Sequence, residues 1–150
     1  MLLTACSSLR LDYDRPDGFD LSGTWQLIED ESGTPPSQRR LRSRGGMLAF
    51  VTSDFPVLRA REMRIEQSRD SMGIRYDTGD YRDVSWGSRR RGLWEVRAGW
   101  HEGALYILSD AVDAEAMEIL TLSDGGRRLD VHVRIESGGD DVEVVRVFRR

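Results

Sequence analysis

Alternation of apolar and polar side chains with a period of two residues runs through most of this sequence, and it restricts the possible folds more than any other feature. In the segment RLDVHVRIE the apolar positions are Leu129, Val131, Val133 and Ile135. Successive side chains of a β-strand point to opposite faces of a sheet. The pattern therefore predicts strands with one face packed inward and the other in contact with water.

Shorter runs with the same period follow one another along the chain. They are TWQLI, MRIEQ, MGIRYD, YRDVSW, LWEVRAGW, ALYILSD, AMEILTL and VEVVRVFRR. Gly and Asp residues separate most of them, as expected of hairpin turns, and GSRRRG is interpreted as a turn between two runs. These signals predict about eight or nine short antiparallel strands in an all-β sandwich or barrel.

One segment, TPPSQRRLRSRGGMLAFVTSDFPVLRARE, does not show this alternation. A helix can begin at Pro35 and Pro36, and Gly45 and Gly46 would end it. We therefore predict a short helical excursion between the first strand and the others. In a barrel, this excursion would cover an open end.

The composition indicates a single soluble domain. Of the 150 residues, 39% are hydrophobic and 32% are charged, and the formal net charge is −4, which gives no general attraction to nucleic acid. All 22 basic residues are Arg. Codon usage in a GC-rich genome explains this best, because it acts on every position, whereas the alternative is selection for bidentate Arg contacts with phosphates or carboxylates.

The only cysteine, Cys6, lies in the opening segment MLLTACSS, where no core could bury it. A single cysteine excludes an internal disulfide. Leu3, Thr4, Ala5 and Cys6 resemble the lipobox of bacterial lipoproteins, a family in which this cysteine is acylated and becomes the new amino terminus. The resemblance implies a lipid anchor on Cys6 and a place in the bacterial cell envelope.

A working signal needs a basic region and about 7–15 apolar residues before the box. Only Met1, Leu2 and Leu3 precede Thr4 here, so either the start codon lies upstream or the match arose by chance. By family analogy, Ser7 after the cysteine implies the outer membrane, facing the periplasm. We divide the chain into the lipobox remnant with a flexible tether, residues 1–20, and a barrel domain, residues 21–150.

The GTW motif at the start of the first strand resembles the G-x-W motif of lipocalins. In that family, the Trp packs at the closed end of an up-and-down barrel against an Arg from the last strand. Gly23 and Trp25 match the motif, and Arg146 or Arg149 would supply the basic partner through a cation–π contact. The segments MRIEQ, GIRY, GGRRLDVHVRIE and RVFRR also resemble uncharacterised bacterial lipocalin-like (calycin-type) lipoproteins. The resemblance implies an up-and-down antiparallel barrel and no established activity.

No arrangement in the sequence indicates catalysis, a cofactor or a metal. The two histidines lie in a turn (His101) and on the polar side of a strand (His132), positions typical of solvated residues. The paired carboxylates Asp140 and Asp141 fall at a strand end, where turn formation explains them. We expect no catalytic residue, no metal site and no enzymatic activity.

Two sets of residues are candidates for binding. The first consists of aromatic residues that would line a pocket for a small hydrophobic molecule: Tyr76, Trp94, Trp100 and Tyr106. The alternative is that these rings fill the core. The second set would meet an anionic partner, and it comprises Arg39, Arg40, Arg42 and Arg44 together with the predicted loop residues Arg89, Arg90 and Arg91. The alternative is an ordinary solvated face.

An enzyme ranks last of three function classes that stay open, and the other two both describe a membrane-tethered envelope lipoprotein. In one, the barrel binds a small hydrophobic ligand. In the other, the barrel is filled and acts as a protein–protein interaction module, such as a hydrolase inhibitor or an assembly accessory. A cavity of roughly 300 Å³ or more inside the barrel would favour the first.

Overall fold

The computed structural model describes residues 9–150, so Cys6 and the predicted lipobox lie outside the described residues. Its ten strands are β1 (Gly23–Leu27), β2 (Glu62–Gln67), β3 (Ser71–Tyr76), β4 (Tyr81–Ser85), β5 (Gly87–Arg91), β6 (Trp94–His101), β7 (Ala104–Ala111), β8 (Ala114–Ser123), β9 (Arg128–Ser137) and β10 (Asp140–Arg149). The helices are α1 (Gln38–Ser43) and α2 (Met47–Thr52), with short 3-10 turns at Glu29–Glu31, Pro56–Leu58 and Asp124–Gly126.

All ten strands form one antiparallel sheet in the order β4-β3-β2-β1-β10-β9-β8-β7-β6-β5. The sheet curls into a nearly closed barrel, which confirms the predicted all-β, up-and-down architecture. The strand absent from the prediction is β5, formed by the GSRRR segment that was interpreted as a turn. Its polar sequence gives no apolar alternation, and it becomes a strand because its backbone pairs with β6.

The strands β4 and β5 are the two edges of the sheet, and we call the line between them the seam. Trp86 alone connects them. Arg89 reaches across the seam, where its Nη1 atom lies 3.1 Å from Asp83 Oδ2 and 3.2 Å from Ser85 Oγ. Side-chain hydrogen bonds therefore connect β4 and β5, which are not paired by backbone hydrogen bonds.

The predicted helical excursion lies between β1 and β2 and covers one end of the barrel, as expected; we call residues 37–58 the cap. The side chain of Ser37 accepts a hydrogen bond from the Arg40 backbone and so begins α1. Gly46, with φ of 83°, breaks the helical path between α1 and α2. An ion pair between Arg44 and Asp140 fastens α1 to the turn between β9 and β10. None of the helices in residues 9–150 is long and apolar enough to cross a membrane.

The core fills the space inside the barrel and beneath the cap. Inward positions follow from the register: Ile107 pairs with Glu118, and Leu105 with Leu120, so these four side chains share the inner face. The cap contributes its buried apolar side chains, among them Leu48 and Val51, to the same core. One continuous apolar cluster therefore holds the barrel and the cap together.

The N-terminal segment packs on the barrel from Leu11 onward, which differs from the predicted tether over residues 1–20. The Asp12 backbone exchanges hydrogen bonds of 2.8 and 2.7 Å with that of Trp100. This position of β6 lies just past Ala98, where the pairing with β5 stops. Leu11 and Phe19 are buried. The segment approaches Gly99 so closely that an added Cβ would lie 2.7 Å from the Asp12 carbonyl oxygen. The folded body thus begins before residue 21.

The partner of Trp25 is not the predicted Arg146. Trp25 is fully buried, and its indole N–H donates to the Leu21 carbonyl oxygen at 2.8 Å. The guanidinium over its ring is that of Arg150, 4.6 Å from the ring centroid. Arg146 faces inward and donates to the carbonyl oxygens of Gly33 and Ala60, at 3.0 and 3.1 Å. These carbonyls in the β1–β2 connection hold its guanidinium, so it does not stack on Trp25.

Candidate ligand site beneath the cap

The four aromatic residues predicted to line one pocket do not lie together. Tyr106 is on the outer face, where it pairs with Gly99 and Ile119 and meets the edge of His101 at a ring distance of 5.6 Å. Leu105 and Ile107 take the inner positions of β7 instead. Tyr106 is therefore not a pocket residue.

Trp94 and Trp100 both face inward, but they belong to opposite ends of β6. Trp100 lies at the end closed by the N-terminal segment, with ring distances of 5.6 Å to Phe19 and 4.8 Å to Trp86. Trp94 lies beneath the cap, 5.3 Å from the ring of Phe55. Their positions are about 20 Å apart along the strand. They form two packed clusters, and only the one at Trp94 borders the site described next.

A buried ion pair, absent from the sequence-based predictions, lies on the inner face. Arg82 of β4 donates through Nη1 to both carboxylate oxygens of Glu118 on β8, at 2.8 and 2.7 Å. The two side chains are only 1% and 3% exposed. Both residues occupy the apolar phase of their strands, Arg82 in line with Val84 and Glu118 in line with Leu120. A charge in phase with Val84 or Leu120 is the only local signal of the pair, and it is ambiguous because Tyr81 and Ile119 occupy the opposite phases.

Arg82 has more hydrogen-bonding capacity than Glu118 uses. Its Nε and Nη2 atoms are buried without a hydrogen bond of ordinary geometry, although the Tyr76 hydroxyl is close enough to act as an acceptor and raise the pKa of Arg82. The ring of Phe55 lies against its guanidinium, 5.6 Å from centroid to guanidinium carbon. Burial lowers the pKa of Arg82, but Glu118 and Tyr76 outweigh this and hold it above its ordinary value. The guanidinium is therefore a buried, charged donor with spare N–H groups on two of its nitrogens.

The groups around the ion pair come from the strands and from the cap. Burial raises the pKa of Tyr76 to about 12, so its hydroxyl stays neutral. Asp54, just after α2, accepts a hydrogen bond of 2.8 Å from the Trp94 indole. Burial and the nearby Arg82 lower the pKa of Arg91, which lies on the inner phase of β5 opposite Trp94. The site thus holds two guanidiniums and two carboxylates.

An open groove lies outside the site, between the cap and the β3–β4 turn, with a volume of about 490 Å³. Ala49, Phe50 and Pro56 form its apolar part, and Arg42 and Arg59 lie at its margin. Phe55, next to the groove residue Pro56 in the chain, is buried with its ring against the guanidinium of Arg82.

The predicted Arg groups are distributed differently from the expectation of a shared anion-binding set. Arg89 and Arg90 belong to strand β5 and pair with Asp83 and Glu95, respectively. Arg91 turns towards the interior, and Arg44 pairs with Asp140. The exposed Arg39, Arg40 and Arg42 remain on α1 beside the groove.

The two histidines lie on the outer surface. His132 Nε2 is 2.8 Å from Glu143 Oε1, and His101 stands beside Glu102. Within residues 9–150, no group of three or more His, Cys, Asp or Glu side chains could hold a metal ion.

Five carboxylates form a continuous line on the outer face, which we call the acidic row. They are cross-strand neighbours in the order Glu95, Asp110, Glu115, Glu136 and Asp141, on β6 to β10. Burial, followed by Asp110 and Glu136, raises the pKa of the central Glu115. Arg134 donates to Glu136 at 2.7 Å and offsets part of the negative charge.

Comparison with known proteins supports the fold and adds no sequence relative. No protein-family model matches the chain, and no curated protein matches its sequence. The fluorescent protein UnaG (wild type) has a TM-score of 0.59 at 17% identity, covering 87% of this chain and 96% of that chain. Fatty-acid-binding protein 1 of Echinococcus granulosus has a TM-score of 0.58 at 13% identity, with coverages of 87% and 96%.

The zebrafish ileal bile acid-binding protein, in complex with cholic acid, has a TM-score of 0.52 at 12% identity and covers 86% of this chain and 97% of its own. At such identities, the likeness shows the fold alone. The expected calycin architecture is confirmed at this level: the chain has the nearly closed, ten-stranded, helix-capped barrel fold of fatty-acid-binding proteins.

Proposed function

We propose that this barrel binds a small hydrophobic molecule whose polar head reaches Arg82 beneath the cap. The observation that carries the proposal is that two guanidinium nitrogens, Nε and Nη2, make no hydrogen bond of ordinary geometry on a side chain that is 1% exposed. A buried donor left without an acceptor costs about 1–3 kcal/mol. A ligand that supplies an acceptor in an apolar surrounding would remove this cost.

The shared fold supports the same proposal. Two of the similar structures are a fatty-acid-binding protein and a bile acid-binding protein, so this architecture accommodates amphipathic molecules in other chains. In this chain, the apolar part of the groove would receive the ligand, and Phe55 would turn aside to admit its head. The packed interior means that binding must displace side chains, with Phe55 as the first.

Binding of Nile red, a neutral fluorescent hydrophobic probe, tests the proposal. We expect saturable 1:1 binding, tighter in Phe55→Ala because that substitution opens the path to Arg82. Phe19→Ala is the matched control, because it removes an equally large buried ring at the opposite end of the barrel. If Nile red binds to neither the wild type nor Phe55→Ala, the barrel is not a carrier.

The second candidate is the filled barrel acting as an interaction module. The observation in its favour is the surface of the cap, where Met47 and Phe50 are 50% and 59% exposed beside the exposed Arg39 and Arg40. Native mass spectrometry of protein extracted from its own membrane distinguishes the two functions. A retained small molecule supports the carrier, whereas a ligand-free barrel held in a defined protein complex supports the interaction module.

We also propose that Cys6 is acylated and holds the barrel at the outer membrane on its periplasmic side. The support is the lipobox-like LTAC and the Ser7 that follows it. Because Leu11 already packs on the barrel, the link from Cys6 would span no more than about 18 Å. With the upstream genomic codons restored, the protein should fractionate with membranes, and Cys6→Ser should release it or leave the precursor uncut. A fully soluble wild type with a free thiol would contradict the anchor.

A further inference from the structure

The buried ion pair also determines which head group the site accepts. Resting on the proposed function, we infer that the ligand head is an uncharged hydrogen-bond acceptor, such as an ester or ketone carbonyl, and not a carboxylate. The inference follows from the contact of Arg82 Nη1 with both carboxylate oxygens of Glu118 and from the donors that this contact leaves over.

The first step concerns the direction of hydrogen bonding. Every N–H of a guanidinium is a donor, and Arg82 uses only Nη1 for Glu118. Nε and Nη2 make no hydrogen bond of ordinary geometry, with the Tyr76 hydroxyl as the acceptor beside the guanidinium, so a further acceptor would be bound favourably there. An ammonium head offers no acceptor and would carry the same charge as Arg82, so cationic ligands are excluded.

The second step concerns charge. Glu118 neutralises Arg82 within a contact of 2.7 Å, and Asp54 accompanies Arg91 at the edge of the same site. A carboxylate placed on the free side of Arg82 would leave an uncompensated negative charge in the interior, a few ångströms from Glu118. Burial without a counter-ion and a nearby like charge both disfavour the ionised form. A neutral carbonyl makes the same hydrogen bonds and adds no charge.

The experiment compares two probes that share one apolar chain, methyl dodecanoate and dodecanoate, in competition with Nile red at pH 8. We expect the wild type to bind the ester at least roughly tenfold more tightly, because a tenfold preference corresponds to a shift of one pKa unit against the carboxylate. Equal affinity, or tighter binding of dodecanoate, would overturn the inference while leaving hydrophobic ligand binding intact. Failure of both probes to bind would overturn the proposed function together with the inference.

The substitution Glu118→Gln tests the role of the ion pair. It keeps the shape of the side chain and removes the charge that neutralises Arg82, so the preference should reverse in favour of dodecanoate. Dodecanoate should also raise the melting temperature of this variant more than methyl dodecanoate does, because it replaces the missing negative charge. Glu115→Gln is the matched control, since it makes the same change on the outer face of β8 and should keep the wild-type preference.

A measurement on the wild type keeps the inference testable if Glu118→Gln does not fold. The affinity for total dodecanoic acid should rise about tenfold for each unit by which the pH falls, as the neutral acid forms, until the free acid is protonated. The affinity for methyl dodecanoate should stay constant over the same range. A dodecanoate affinity that does not change with pH would show that the ionised head is accepted and would overturn the inference.

Discussion

Replacing Glu115 by Gln should stabilise the protein, although the substitution removes no clash and fills no cavity. Glu115 is the centre of the acidic row, directly opposite Asp110 on β7 and Glu136 on β9. Like charges in directly opposed positions destabilise a sheet, and such cross-strand pairs contribute about 0.2–1 kcal/mol each. The variant removes two of these pairs, so we expect its free energy of unfolding at pH 7 to increase by roughly 0.5–2 kcal/mol.

The pH dependence identifies the cause. The pKa of Glu115 is raised in the folded state, by burial first and then by Asp110 and Glu136. Protonated Glu115 therefore favours the fold, and this stabilisation is present below the unfolded pKa and is lost as the pH rises through the folded pKa. The difference in stability between Glu115→Gln and the wild type should be largest near pH 7 and should shrink as the pH falls below the ordinary glutamate pKa of about 4.3, where Glu115 becomes protonated in both states.

Urea unfolding followed by tryptophan fluorescence, at several pH values and constant ionic strength, measures this difference. Glu66→Gln is the matched control, because Glu66 also lies on an outer face but stands opposite Gly73, not opposite a carboxylate. We expect little change in stability from it at any pH. A destabilised Glu115→Gln, or a gain that stays the same between pH 4 and 7, would refute the argument from cross-strand repulsion.

The remaining predictions concern the barrel end and the interior. Trp25→Ala should lower the free energy of unfolding, measured with denaturant, by about 3–5 kcal/mol. Arg150→Ala should lower it by only about 0.5–1 kcal/mol, because it removes only a cation stacked on the ring. An equal loss in the two variants would contradict this interpretation of the contact. The pKa of Tyr76 is raised from 10.0 to about 12, so its hydroxyl should ionise only above pH 10 in an ultraviolet titration. Its contribution to the free energy of unfolding should be lost as the pH rises from 10 to 12. Ionisation near pH 10 would show that the ring is solvated. Arg82→Met alone should cost about 3–5 kcal/mol, but the double variant with Glu118→Leu should recover most of it, because only the single variant leaves a buried charge unpaired. A double variant as unstable as the single one would contradict this.

The parts of the fold that follow from the sequence are those encoded in local periodicity. The segment from Arg128 to Ser137 alternates so regularly that its amino acids alone indicate both the strand and its buried face. The cap follows from its departure from this pattern and from the prolines that precede α1. Periodicity alone did not distinguish a barrel from a sandwich. The barrel was predicted from the resemblance carried by Gly23 and Trp25, and structural similarity confirms that architecture.

Tyr106 shows where local reasoning ends. In ALYILSD both phases carry large apolar residues, and even Leu108 on the outer phase is buried, so the segment alone does not say which face is inward. The register with β6 and β8 decides it. The same applies to β5, whose polar residues form a strand only because the edge of β6 offers hydrogen bonds to pair with.

The candidate site depended on tertiary structure for the same reason. The structure places Arg82 and Glu118 at buried positions of their strands, but the sequence alone does not mark them, because apolar residues occupy both phases of the two segments. Only the closing of the sheet brings β4 and β8, which are far apart in the strand order, face to face across the barrel. Periodicity specifies which side of a strand is buried, whereas the partner across the interior depends on strand order, register and curvature, which are properties of the whole chain.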